Sequence, residues 1–216
     1  MKLFHINNDS TRLLIFFAGF YIDNNCFMEF DNKKSDILFI YDYSDLNFDE
    51  IAYFDFTPYV EINLIAYSYG VFAANLAADF LPEINNSVAI SGTIFPIDEN
   101  FGIKPKIYDL MLNSFNLDVI QNFKNKMEMN SGGVIQNSKR EIENLKSELM
   151  NIKNFVLNNE IKENFEFSKV IITKKDRIIP YLAQKSFWEG HRNVYELDLG
   201  HFPFFNFNDF DEILEL

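Results

Sequence analysis

The chain has 216 residues and a mass of 25.4 kDa, a length that suits one domain. Hydrophobic residues make up 48% and charged residues 24%, which excludes wholesale disorder, and the one cysteine, Cys26, excludes a scaffold held by intrachain disulfides. The net charge of −13 argues against nucleic acid as the main partner, because phosphate binding requires a basic surface.

The first candidate element is an apolar run from Leu13 to Phe20. It is shorter than the roughly 20 residues of a membrane-spanning helix. It also lies far from a charged start and lacks a small-residue cleavage site, so a strand is predicted rather than a signal peptide. We therefore expect no membrane partner and a cytoplasmic location.

Five more short apolar runs follow, and most are continuous rather than alternating, as in strands covered on both faces. The six predicted strands are Leu13–Ala18, Ile37–Tyr41, Ile62–Tyr67, Ser87–Ser91, Lys169–Thr173 and Asn193–Leu197. The predicted helices between and after them are Val71–Leu81, Tyr181–Glu189 and Phe207–Leu216. This alternation predicts an α/β fold with a mostly parallel central sheet and flanking helices.

A different composition marks residues 104–166, where Lys, Asn and Glu accompany apolar residues at helical spacing. We interpret this segment, called the lid below, as several helices inserted into a single domain spanning residues 1–216. Residues 102–175 hold 12 Lys and Arg against 9 Asp and Glu, a net charge of +3, while the remainder carries −16. The basic segment fits either a solvated helical face or a docking surface for an acidic partner.

The sharpest local motif is Leu64-Ile65-Ala66-Tyr67-Ser68-Tyr69-Gly70-Val71, in which a strand ends at a serine and a helix begins at once. This is the layout of a nucleophile elbow, Gly-x-Ser-x-Gly, with Ala66 in place of the first glycine. Small residues are needed two positions before and after Ser68, because larger ones would collide with the adjacent chain. The alternative is a serine that caps an ordinary helix.

An activated serine needs a base, and the base needs an acid that orients it. Of the three histidines, His201 is favoured because it follows the last predicted strand and a glycine, whereas His5 and His191 suit the surface. Asp176 is the candidate acid, since it follows the fifth predicted strand and precedes a helix that begins after Pro180; Asp98 and Asp198 are its rivals. The chain order Ser68, Asp176, His201 is that of the α/β-hydrolases.

Gly19 ends the first predicted strand, where hydrolases place a backbone donor for the oxyanion. We expect the Phe20 and Tyr69 N–H groups to form that oxyanion hole, although a plain turn at the strand end explains Gly19 equally well. Scattered histidines and one cysteine predict no metal site, and no nucleotide-binding glycine pattern occurs, so no cofactor is expected.

Together these motifs resemble the BioG-type pimeloyl-[acyl-carrier protein] methyl ester esterases, a small α/β-hydrolase family. The resemblance covers nearly the whole chain, and the motifs that begin at Ser91 and at Gly200 are its most specific parts. The motifs are Phe16-Phe17-Ala18-Gly19-Phe20, Ser91-Gly92-Thr93-Ile94-Phe95-Pro96-Ile97-Asp98, Ala66-Tyr67-Ser68-Tyr69-Gly70, Lys175-Asp176-Arg177-Ile178-Ile179-Pro180 and Gly200-His201-Phe202-Pro203-Phe204-Phe205. The family usually has Trp where this chain has Phe20, a change that keeps the backbone donor and alters contacts of the ring.

The resemblance implies a serine carboxylesterase that removes the methyl ester from pimeloyl-acyl carrier protein during biotin synthesis. Ser68 would attack the ester carbonyl, His201 would transfer the proton, and Asp176 would fix the histidine tautomer. Acyl carrier proteins are acidic, so the basic segment of residues 102–175 is expected to provide their docking face. The candidate docking residues are Lys104, Lys106, Lys124, Lys126, Lys139, Arg140 and Lys146.

Three other functions remain open from the sequence. The first is a general carboxylesterase or thioesterase that acts on free small acyl esters. The second is a catalytically inactive hydrolase fold that serves as a binding protein. The third is lyase or acyltransferase chemistry on the same fold.

Overall fold

The structure is a computed structural model that describes residues 1–27 and 33–216. Within these ranges one seven-stranded sheet has the order β1-β3-β2-β4-β5-β6-β7. Its strands are β1 (Lys2–Ile6), β2 (Arg12–Phe17), β3 (Asp36–Tyr41), β4 (Glu61–Tyr67), β5 (Asn86–Ile90), β6 (Lys169–Thr173) and β7 (Val194–Leu197). All neighbours are parallel except β1, which pairs antiparallel with β3.

The predicted strands are confirmed to within one or two residues, because burial on both faces produces the continuous apolar runs seen in the sequence. Leu13 to Phe17 of β2 and Ile62 to Tyr67 of β4 are buried at every position. Strand β1 was not predicted. It lies at the sheet edge with Lys2, Phe4 and His5 exposed, so it lacks the apolar run that identified the others.

Helices flank the sheet close to the predicted positions. The predicted ones are α2 (Tyr69–Leu76), α6 (Tyr181–Phe187) and α7 (Phe210–Glu215), whereas the short α1 (Asp49–Ala52) was not predicted. Helix α2 begins two residues before the prediction, directly after Ser68, and it ends before a separate short 3-10 turn at Ala78–Phe80. The early start of α2 places the serine at the junction of strand and helix.

The lid consists of three helices inserted between β5 and β6: α3 (Pro105–Asn113), α4 (Leu117–Glu128) and α5 (Ile142–Asn158). The Tyr108 hydroxyl of α3 donates to the Leu149 carbonyl of α5 at 2.9 Å. Buried lid residues such as Phe123 and Leu145 belong to the same hydrophobic core as the sheet. None of the described helices has both the length and the apolar character needed to cross a bilayer.

A buried ionic cluster ties the start of α5 to the end of β3. Arg140 Nη2 lies 3.0 Å from Asp42 Oδ1, Arg140 Nη1 lies 2.6 Å from Glu148 Oε2, and Lys2 Nζ lies 2.8 Å from Asp42 Oδ2. Burial raises the pKa of Asp42, but the hydrogen bond from Lys2 and the charge of Arg140 outweigh it and bring this pKa to about 2. The two cations of the cluster therefore keep the Asp42 carboxylate ionised.

The expectation that Arg140 and Lys124 belong to a docking surface is wrong. The Arg140 side chain is only 3% exposed and is occupied by Asp42 and Glu148. Lys124 is buried as well, and its Nζ lies 3.0 Å from Glu128 Oε1. Neither cation has a charge left at the surface for a partner protein, because each neutralises a carboxylate of the same chain.

Replacing Arg140 by methionine is expected to destabilise the fold by about 3–5 kcal/mol, since Glu148 would remain buried without its counter-charge. Burial already raises the pKa of Glu148, so the folded state binds its proton more readily than the unfolded chain does. Stability of the variant is therefore expected to fall as pH rises. Urea unfolding at about pH 5 and about pH 8 measures both effects. Equal stability of variant and parent at both values would contradict the assignment.

Candidate active site

Ser68 occupies a strained turn between β4 and α2. Its φ of 55° and ψ of −119° lie outside the common regions for a non-glycine residue, and its N–H donates to the Ile90 carbonyl at 2.9 Å. A Cβ on Gly70 would collide with the carbonyl oxygen of Phe17, and one on Gly19 would lie 2.9 Å from Cβ of Ser68. Small residues around Ser68 are thus required by the close approach of β2 to the turn.

The three predicted polar residues lie within hydrogen-bonding distance of one another. Ser68 Oγ is 2.9 Å from Nε2 of His201, and Nδ1 of His201 is 2.7 Å from Oδ2 of Asp176. Because Nδ1 faces a carboxylate, it carries the proton, which leaves Nε2 as the acceptor for the serine hydroxyl. Such an arrangement allows a serine to act as a nucleophile, a histidine as its general base and an aspartate as the acid that orients the base.

The Asp176 carboxylate is held by donors on both oxygens. Oδ1 accepts the N–H groups of Ile178 at 2.7 Å and Ile179 at 3.0 Å. Oδ2 accepts the Gln184 side-chain amide at 2.8 Å and a longer contact from the Thr173 hydroxyl at 3.4 Å, besides its contact with His201. These donors fix the position of the carboxylate beside His201.

The loop that carries His201 is fixed against the lid. The Gly200 N–H donates to the Asn130 carbonyl at 2.9 Å, and a Cβ at Gly200 would collide with the Met129 carbonyl oxygen. The His201 ring lies 5.2 Å from the buried Tyr67 ring. Glycine before the histidine therefore serves the close approach of this loop to the end of α4.

The two residues expected to form the oxyanion hole lie in segments close to Ser68, since Tyr69 follows it directly and Gly19, before Phe20, approaches its side chain. Phe20 follows Gly19 at the end of the β2 loop, and Tyr69 is the first residue of α2. No protein acceptor for either N–H is found in the part of the chain that the structure describes. The Tyr43 hydroxyl donates to the Ala18 carbonyl at 2.9 Å and so holds the loop that contains Phe20. A helix N-terminus with an unpaired amide beside a serine suits a developing negative charge.

Aromatic side chains enclose the site in this conformation. The Phe20 ring centroid lies 5.0 Å from that of Phe123 in α4 and 6.5 Å from that of Phe115, which precedes α4. Ser68 is 3% exposed and His201 is 1% exposed. Ser68 and His201 are therefore almost closed off from solvent in this structure.

The rival acids and histidines have other roles. Asp98 accepts the Asn100 and Phe101 N–H groups in a turn, and Asp198 pairs with Lys175 at the surface. His191 lies with its Nε2 atom 2.7 Å from the Phe167 carbonyl oxygen. His5 lies 3.6 Å from Asp36 at the β1 edge.

Cys26 makes no hydrogen bond with Ser68, His201 or Asp176 among the contacts of the described residues. Burial raises the pKa of the Cys26 thiol to about 12, which keeps it protonated and unreactive. Its Sγ atom lies 3.4 Å from the Gln136 carbonyl oxygen. Cys26 is therefore an inert buried thiol in this structure.

Sequence reasoning missed the polar residues that support Asp176. Gln184 lies eight positions after Asp176 on a buried face of α6, and Thr173 ends β6 with its hydroxyl 3.0 Å from that of Ser91. A polar residue on the inward face of a short helix was the available signal for Gln184. The contact between Gln184 and Asp176 follows only from the fold, which places α6 beside the loop after β6.

A family model described as "Pimeloyl-ACP methyl esterase BioG" matches residues 1–213 of the chain. A malonyl-[acyl-carrier protein] O-methyltransferase of Bacteroides fragilis is 34% identical over an alignment of 198 residues, and the match covers 88% of this chain and 39% of that protein. An uncharacterized protein of Haemophilus influenzae is 31% identical over 109 residues, 50% of this chain and 48% of that protein. The chain therefore spans less than half the length of these curated relatives.

Solved structures share the fold. The crystal structure of BioG from Haemophilus influenzae superposes with a TM-score of 0.86 at 22% identity, covering 99% of this chain and 100% of that chain. An esterase from Exiguobacterium antarcticum gives 0.65 at 11% identity, covering 99% and 92%. A lipase-esterase related protein from Clostridium acetobutylicum gives 0.61 at 17%, covering 99% and 96%. The predicted α/β-hydrolase fold is confirmed, and the chain belongs to the BioG family of pimeloyl-acyl carrier protein methyl esterases.

Proposed function

We propose that this chain is a serine carboxylesterase that hydrolyses the methyl ester of pimeloyl-acyl carrier protein, in the synthesis of the pimelate moiety of biotin. The observation that carries the proposal is the hydrogen-bonded series Ser68, His201 and Asp176, with contacts of 2.9 and 2.7 Å. Membership of the BioG family supports the choice of substrate.

In the proposed reaction Ser68 Oγ attacks the ester carbonyl while Nε2 of His201 takes the hydroxyl proton. The tetrahedral intermediate collapses, and His201 returns the proton to the departing methanol. Water then attacks the acyl carbonyl while it loses a proton to His201, and His201 returns this proton to Ser68 Oγ as the bond to the pimeloyl group breaks. Asp176 holds Nδ1 of His201 throughout and stabilises the imidazolium. These steps use only the side chains, backbone amides and water.

The Phe20 and Tyr69 N–H groups are the proposed oxyanion hole. Their support is the free amide at each position and the contact of Gly19 with Ser68. The loss of one such donor typically raises a barrier by about 3 kcal/mol. The side chains of both residues are buried, and the Phe20 ring packs against Phe115 and Phe123 of the lid.

Docking of the acidic carrier protein is proposed at the exposed lysines of the lid, which are Lys104, Lys106, Lys126, Lys139 and Lys146. The support is their exposure and the charge contrast between residues 102–175, at +3, and the rest of the chain, at −16. A positive patch on an acidic protein attracts an acidic partner and fixes its orientation.

Reversing the charge at Lys104, Lys106 and Lys126 together is expected to raise KM for the carrier-bound ester about tenfold, because attraction to the carrier is lost. Turnover of a small free ester is expected to stay unchanged. Steady-state kinetics with both substrates measure the difference. Reversing Lys34 and Lys185, two exposed lysines outside the lid, is the matched control. Equal losses on both substrates, or an equal effect of the control, would contradict the docking face.

Two experiments separate the proposed function from the alternatives. The first compares turnover of carrier-bound methyl pimelate with that of p-nitrophenyl esters, and a preference for the free esters would favour a general esterase. The second tests rescue of biotin auxotrophy in a host that lacks its own pimeloyl-ester esterase. Rescue by the parent chain and none by Ser68→Ala is expected, and rescue by both would overturn the proposed role of Ser68.

A further inference from the structure

Gln184 on α6 is fully buried beside the triad acid. Its Nε2 atom donates to Oδ2 of Asp176 at 2.8 Å and to the Ile179 carbonyl at 2.8 Å. Both partners are acceptors without a proton to give, so the amide has one workable orientation, with the nitrogen toward them. The side chain thus spans from the helix to the loop and to the carboxylate at once.

The other end of this amide has no partner. Oε1 of Gln184 is buried and accepts no hydrogen bond from any described residue. Leaving a buried acceptor unpaired lowers stability. A leucine or methionine would fill similar space without that cost, so packing alone does not account for an amide here. The geometry on the nitrogen side has to supply the reason.

The Oδ2 atom that Gln184 binds is the atom that accepts from Nδ1 of His201 at 2.7 Å. The other carboxylate oxygen is already fixed by the N–H groups of Ile178 and Ile179. A carboxylate held at one oxygen alone still rotates about its Cβ–Cγ bond, whereas donors at both oxygens fix its plane. Besides His201, two side chains donate to Oδ2. The Gln184 amide lies 2.8 Å from it, whereas the Thr173 hydroxyl lies 3.4 Å away.

We propose that Gln184 is a positioning residue of the triad, which holds Oδ2 of Asp176 in the plane that orients the His201 ring toward Ser68. The inference rests on the proposed esterase mechanism and adds to it a residue that touches no substrate. Loss of its N–H donor leaves the three catalytic side chains present and lets the carboxylate and the imidazole depart from the reactive geometry.

The test measures how fast a fluorophosphonate probe labels Ser68 in the full chain, because labelling depends on the triad and not on the natural ester. Gln184→Met keeps the length of the side chain without its donor, and Gln184→Leu is a second variant of different shape. Both are expected to label about tenfold more slowly, with kcat for an ester reduced alike and KM unchanged. Asn75→Leu is the matched control, since it removes another fully buried amide, one that donates to the Lys162 carbonyl. The control is expected to lower the melting temperature and keep the labelling rate.

A double-variant cycle distinguishes positioning from a structural role. If Gln184 acts through the carboxylate, Gln184→Met is expected to slow labelling much less in an Asp176→Asn chain than in the parent. An equal slowing in both backgrounds would overturn the proposal. It would also be overturned by folded Gln184 variants that label at the parent rate, or by failure of both variants to fold. A parent that labels but cleaves no ester would refute the proposed function alone.

Discussion

Replacing His201 by alanine is expected to lower kcat for ester hydrolysis on the order of 10⁴-fold or more, with KM little changed. Nε2 of His201, 2.9 Å from Ser68 Oγ, is the one base in contact with the serine hydroxyl among the described residues. Without it the hydroxyl attacks as a neutral group, and the departing alcohol receives no proton. Steady-state kinetics on a methyl ester measure the loss.

His191→Ala is the matched control for this prediction. His191 is also a histidine near a strand of the C-terminal part of the chain, but its Nε2 atom faces the Phe167 carbonyl. We expect its replacement to leave kcat within about twofold of the parent, a change at the scale of ordinary surface substitutions. Comparable activity of His201→Ala and His191→Ala would exclude His201 as the general base.

Replacing Gly70 by alanine is expected to destabilise the fold on the order of 3 kcal/mol or more, or to displace Ser68 and abolish activity in the chains that fold. The added Cβ would overlap the Phe17 carbonyl oxygen and approach within 2.9 Å of the Ala18 carbonyl oxygen. Both are backbone atoms of a central strand and its loop, so neither gives way as a flexible side chain does. Urea unfolding and esterase assays measure the two effects.

Gly190→Ala provides the comparison for Gly70. Gly190 has a φ of +89°, and a Cβ there would meet no atom within 4 Å. Its replacement costs backbone strain alone, about 1 kcal/mol. If Gly70→Ala proved as stable and as active as Gly190→Ala, the close approach of β2 to the turn at Ser68 would be contradicted.

Much of the fold and site was predictable because the signals are local. Burial on both faces of the central strands is recorded as continuous apolar runs, and the elbow at Ser68 demands small residues at fixed spacing. His201 and Asp176 each follow a predicted strand. Parallel strands bring their carboxyl ends to one edge of the sheet, so the topology brings the three residues together once it is known.

The rest depends on partners that are distant in the sequence. From the sequence alone Arg140 is expected at the surface, because its partner Asp42 lies 98 positions away in the chain. Gln184 is likewise expected to be an ordinary helix residue, and only the fold places it beside Oδ2 of Asp176. Strand β1 is stabilised by its pairing with β3 rather than by its own apolar pattern. Such features follow from tertiary contacts that composition and periodicity do not encode.

The most direct test of the account is the intact mass of pimeloyl-acyl carrier protein methyl ester after incubation with the purified chain. The proposed reaction predicts that the carrier-bound group loses the mass of one methylene as the ester becomes an acid, and that Ser68→Ala leaves the mass unchanged. The same mass loss with Ser68→Ala, or an unchanged ester with the folded parent chain, would contradict it.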